Sequence, residues 1–183
     1  MAGPITQVLE EVQRGTPGAR EELFRLCYGE LRKLAAAQMR QQRKGHTLQP
    51  TALVNEACLR MLGGDAAVFR NRGTFFSVAS KAMRSILVDL ARSRRSLKRG
   101  GLRERVPLAS AESGARDPTE EILAVHEAMD QLADVDPLLA RVVELRFFGG
   151  LTVEETAEVL EVSERTVYGA WETARMLLHQ RLS

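Results

Sequence analysis

Four of the six prolines in this 183-residue chain, Pro17, Pro50, Pro118 and Pro137, stand where a helix can start. Proline lacks a backbone N–H and fixes its own φ, so it fits the first turn of a helix and breaks an interior one. Between these markers apolar residues recur at helical spacing, and no alternating strand pattern of any length survives. The expected fold class is therefore all-α, as two small helical domains joined by a flexible linker. Ile5, Val8, Leu9 and Val12 form a first apolar face, stopped by Gly15. Thr16 and Pro17 are expected to open a second helix carrying Leu23, Phe24, Cys27, Leu31 and Leu34. A third helix is expected from Pro50 to Gly63-Gly64, and a fourth from Thr74 to Arg95.

Residues 96–120 lose the apolar period and gain Gly, Ser and charge, which reads as a linker. Asp117-Pro118 and Asp136-Pro137 then repeat one helix-start grammar: an aspartate cap followed by proline. This places one domain over 1–95 and a second over 121–183. The formal charge of +2 hides their difference. Residues 1–95 hold 16 basic against 8 acidic side chains, +8; residues 96–120 hold 5 against 4, +1; residues 121–183 hold 5 against 12, −7. Such asymmetry points to nucleic-acid contact by the basic part.

The sharpest local pattern is LTVEETAEVLEVSERTVYGAWETARMLL, residues 151–178. Thr152 and Glu155 fit a capping box, Ala157 is small where a second helix must cross, and Ser163 fits the cap of that helix. Together they describe a helix-turn-helix whose second helix enters a major groove, with Ser163 near phosphate. Position 161 is the turn residue and is Glu; a left-handed conformation there costs an L-residue roughly 1–2 kcal/mol. A second pattern is FRNRGTFF, residues 69–76, followed by a run of cations from Lys81 to Arg105. Basic residues interleaved with aromatic ones and an Asn suit single-stranded DNA. At least one of Phe75 and Phe76 is expected in the core, as is Trp171.

Three stretches, HTLQPTALVNEACLRML, FFSVASKAMRSILVDLARSRR and LTVEETAEVLEVSERTV, resemble bacterial sigma factors of the extracytoplasmic-function (ECF) type. In order and spacing they look like sigma region 2 followed by sigma region 4, over residues 5–95 and 120–183. The resemblance implies a transcription initiation factor that binds core RNA polymerase and directs it to promoter DNA. Region 2 would capture the melted minus-ten strand, and region 4 would read the minus-thirty-five duplex. By position, Asn55, Glu56 and Arg60 match the polymerase-binding helix. Arg70, Asn71 and Arg72 match the base-capturing loop, and Lys81, Arg84 and Arg92 follow as backbone contacts. Arg165, Thr166, Tyr168, Glu172 and Arg175 fall on the reading helix, joined by Ser163. An anti-sigma protein is a further partner that the family allows.

The alternative reading is a stand-alone helix-turn-helix regulator, which leaves the basic helix unexplained. An enzyme is not expected: there is no GxxxxGK[ST] loop and no Cys/His cluster with metal-ligand spacing. No cofactor or metal is expected either. No apolar run approaches the ~20 residues that span a bilayer. The first residues do not read as a signal peptide, so the expected location is cytoplasmic with no membrane contact. With Ser183 last in the sequence, control is expected from a partner, from expression level or from modification.

Overall fold

The computed structural model describes residues 4–40, 48–64, 69–99 and 118–182. Residues 100–117 of the expected linker, and the Asp117 cap with them, lie outside the described residues. The described elements are helices throughout, which bears out the all-α expectation. They are α1 (Pro4–Gln13), α2 (Ala19–Arg40), α3 (Pro50–Leu62), α4 (Arg72–Arg99), α5 (Pro118–Val135) and α6 (Pro137–Val143). A π-helical segment, Glu144–Phe148, continues α6, and α7 (Val153–Leu160) and α8 (Glu164–Leu182) complete the chain.

Local chemistry sets most of the helix ends. Gly15 stops α1 at φ 73°. α2 begins at Ala19 and not at Pro17, because Gly18 sits at φ 79°, outside the helical region. The carbonyl of Gly18 accepts from Glu22 N at 3.0 Å, so Gly18 takes the cap position expected for Thr16. α4 begins at Arg72, two residues early, because Asn71 and Thr74 cap it reciprocally. Thr74 N donates to Asn71 Oδ1 at 2.8 Å, and Asn71 N donates to Thr74 Oγ1 at 3.0 Å. Asp136 caps α6 as expected, its side chain accepting from Leu138 N at 2.8 Å.

The first core is an aromatic knot wrapped by helices. Phe75 is fully buried and packs against Phe24, Phe69 and Phe76, with ring centroids 5.6, 5.4 and 5.3 Å away. Leu23, Cys27, Leu31, Leu53, Val54, Ala57 and Met83 fill the space around it. Both phenylalanines at 75 and 76 are thus core. The second core gathers Met129, Leu132, Val142, Val143, Val153, Ala157, Val167, Ala170 and Ala174 from α5 to α8. Trp171 packs half-buried against it, with the Arg146 guanidinium 4.8 Å from its ring centre.

The two cores meet. Ile122, Leu123, Leu145 and Leu151 come from the second half but are buried in the first core. Gly73 shows how close the approach is: a Cβ there would lie 2.4 Å from Val159 Cγ2 and 3.3 Å from Leu151 Cδ2. The π-helical segment sits at this seam. Gly149 N closes its wide turn onto Glu144 O at 2.8 Å, and a Cβ on Gly149 would come within 2.6 Å of Leu145 O. Wide turns of this kind carry one extra residue and recur at functional sites.

Candidate nucleic-acid interface

The helix-turn-helix is built as its sequence grammar requires. Glu155 N donates to Thr152 Oγ1 at 3.2 Å, and Thr152 N donates to Glu155 Oε2 at 2.9 Å, which closes the capping box. Glu161 ends α7 at φ 56° and ψ 42°, the left-handed turn expected of it. Ser163 then caps α8: Thr166 N donates to Ser163 Oγ at 3.1 Å, and the two hydroxyls lie 2.8 Å apart. Val167, Ala170 and Ala174 hold α8 to the core. The opposite face carries Arg165, Thr166, Tyr168, Glu172 and Arg175, all exposed, with Tyr168 55% accessible. Arg175 pairs with Glu172 one turn away at 3.3 Å. A Cβ on Gly169 would meet nothing within 4 Å, so the space beside Tyr168 is open. Such a surface suits close approach to a groove, though it brings few cations to phosphate.

The basic helix is arranged differently. Arg70, Lys81 and Arg92 are exposed. Asn71 is half-buried, and its Oδ1 is engaged as the cap of α4. Arg72 lies between two carboxylates, Glu30 of α2 and Glu155 of α7, and its guanidinium stacks 4.8 Å over the Phe76 ring. Arg84 is turned into the seam. Its Nη2 pairs with Glu144 Oε2 at 2.9 Å, its Nη1 lies 3.1 Å from His126 Nδ1, and it faces the Phe148 ring. Glu144 is only 3% exposed, and burial raises its carboxyl above its ordinary value, with Arg84 and Lys81 pulling against that rise. So the nine proposed DNA contacts that are exposed separate from Asn71, Arg72 and Arg84, which already hold partners inside the chain.

The proposed polymerase contacts share the outer face of α3. Asn55, Glu56 and Arg60 are exposed, and Arg60 pairs with Glu56 at 3.4 Å and with Asp89 of α4 at 3.1 Å. Leu53, Val54, Ala57 and Met61 face the core. Leu59 is 65% exposed between these polar groups and went unremarked in the sequence. Glu30, Gln38 and Glu144 were also missed; each sits within a helical pattern that gives no local sign of a distant partner. Burial pushes the Cys27 and Cys58 thiols up to about 11 each, which disfavours the thiolate form.

A family model described as ECF sigma factor matches residues 2–183. The chain belongs to the ECF sigma factor family. No curated protein and no solved structure gives a significant match. As an ECF sigma factor it has the role of a transcription initiation factor, a regulatory protein. The family binds core RNA polymerase and promoter DNA, which is consistent with an exposed reading face on α8 and a basic α4. Among the described residues of this sigma factor, no helix is long and apolar enough to cross a membrane.

Proposed function

We propose that residues 1–95 act as sigma region 2 and residues 121–183 as region 4, with 96–120 as the connecting linker, although α4 runs on to Arg99 and α5 already starts at Pro118. In this reading α3 offers Asn55, Glu56 and Arg60 to core polymerase. Arg70, Asn71 and Arg72 approach the melted minus-ten strand, and Lys81, Arg84 and Arg92 follow its backbone. The first turns of α8 read the minus-thirty-five duplex through Arg165, Thr166, Tyr168, Glu172 and Arg175, with Ser163 at phosphate. The observation that carries the reading is the exposed face of α8 behind a fully formed capping box and left-handed turn. Mechanistically the chain binds and positions, while polymerase supplies the chemistry. Two contact surfaces on one chain raise the effective concentration of the second once the first is engaged.

Run-off transcription with core polymerase tests the reading, on a duplex promoter and on the same promoter premelted at the minus-ten element. The wild-type chain is expected to give a promoter-specific product. Arg165→Ala is expected to reduce it about tenfold on a promoter with an intact minus-thirty-five element, since one base contact contributes about 1–3 kcal/mol. Arg70→Ala together with Arg92→Ala is expected to impair the duplex promoter more than the premelted one. DNA binding with no specific product in the presence of core polymerase would instead identify a stand-alone regulator.

A further inference from the structure

The stretch that joins α3 to α4 is held at both of its described ends by side chains of the first two helices. At the α3 end, Arg20 of α2 donates through Nη1 to Leu62 O at 2.7 Å and to Gly64 O at 3.1 Å. At the α4 end, Gln13, the last residue of α1, donates through Nε2 to Phe69 O and to Arg70 O, both at 3.1 Å. A side-chain amide nitrogen carries two protons, so this one group serves both carbonyls and turns them to the same side. The next residue is fixed from the other direction. Asn71 N donates to Thr74 Oγ1 at 3.0 Å, and the Thr74 hydroxyl donates to Asn71 O at 2.8 Å. Phe69 is buried, its ring packed on Phe75. Arg70 therefore stands exposed on a backbone that is held from both sides. Gln13 is itself exposed, while Leu9 and Val12 of the same helix are buried. The apolar face of α1 fastens it to the core, and its polar end grips the start of α4.

We propose that Gln13 is a positioning residue for strand capture: it aims Arg70 at the melted strand by holding the Phe69 and Arg70 carbonyls, while Arg20 fixes the other end of the stretch. The inference rests on the reading of Arg70 as a strand contact. Fixing the Arg70 backbone before the strand arrives removes an ordering cost that binding would otherwise bear. Glutamine suits the task because its amide donates to carbonyls and carries no charge. A carboxylate at the same place could not donate to them.

The test uses the full chain with core polymerase. Gln13→Met keeps the length and helix preference of the side chain and removes both donors. In run-off transcription it is expected to lower the product from a duplex promoter about five-fold relative to the same promoter premelted, the effect of losing hydrogen bonds of ordinary net strength. Gln13→Met is expected to add nothing to the loss caused by Arg70→Ala, yet to multiply in full with the loss caused by Arg92→Ala. General destabilisation would multiply with both, so the contrast isolates a role exerted through Arg70. Exchange of the Asn71 amide hydrogen, read by NMR on the chain alone, is expected to speed up about five-fold in Gln13→Met, because the stretch opens more often once its carbonyls are released. Full multiplication in both backgrounds overturns the inference, and so does an unchanged Asn71 exchange rate. A wild-type product from Gln13→Met beside a defective Arg70→Ala removes the positioning role alone. A wild-type product from Arg70→Ala removes the strand-contact reading, and the inference falls with it.

Discussion

α4 and α8 are the two helices proposed to meet nucleic acid, and they restrain their affinity in opposite ways. α4 is rich in cations, but Arg72 and Arg84 hold carboxylates of the acidic half, and Arg95 holds Glu120 in the first turn of α5. α8 presents an open face with few cations, and one of them, Arg175, is shared with Glu172. The first helix must lose an internal partner before it gains an external one. The second needs only to be brought to its site. Weak binding by the free protein is then the expected outcome, from charge already satisfied at one helix and charge scarcely present at the other.

The comparison breaks if the two helices belong to separate folding units. Phe75→Ala removes the centre of the first core and is expected to cost about 3–5 kcal/mol. Val167→Ala, under α8, is expected to cost about 2 kcal/mol. Because Ile122, Leu123, Leu145 and Leu151 are shared across the seam, both changes should shift one common urea transition. Two resolved transitions, each moved by only one variant, would mean that α4 and α8 unfold independently.

Smaller changes sharpen the comparison one helix at a time. Asn71→Ala removes the reciprocal cap of α4 and is expected to cost about 1–2 kcal/mol in thermal denaturation. A strand-binding defect with no loss of stability would assign Asn71 to DNA alone. Glu161→Gly relieves a left-handed L-residue at the turn before α8 and is expected to add about 1 kcal/mol, part of the gain being offset by backbone entropy. A lower melting temperature would argue against that turn.

The smallest expected effect is a pH dependence of the seam. Glu144 has its carboxyl raised above 4.5 by burial, with Arg84 and Lys81 opposing and His126 reaching Arg84 from α5. The packed state therefore holds the Glu144 proton more tightly than the unfolded chain does. Its contribution is fully present below the ordinary carboxylate value and is lost as pH rises through the raised one. Urea midpoints of the wild type should accordingly fall relative to Glu144→Gln across that window. Parallel profiles would remove Glu144 from the account.

What the sequence disclosed follows the range of each interaction. The Thr152–Glu155 box, the left-handed Glu161 and the Asp136 cap span three residues or fewer, and each was legible. The Asn71–Thr74 cap is as local, but the same residues suit strand binding, and that reading displaced the structural one. The start of α2 was misplaced because Gly18, in a left-handed conformation, follows the proline expected to open it. The pairs Arg72–Glu155 and Arg84–Glu144 join residues far apart in the chain, so no local pattern marks them. Only the opposed charges of the halves hinted at them, and a charge balance names no partner.

The π-helical segment has a geometric consequence of its own. It adds one residue to the path that leads from the seam to the helix-turn-helix. Each residue turns an α-helix by about 100°. Removing one residue between Glu144 and Phe148 would restore the ordinary winding and swing the outgoing chain by that angle. The direction in which α8 faces, relative to α4, is thus a matter of phase fixed by a single inserted peptide unit.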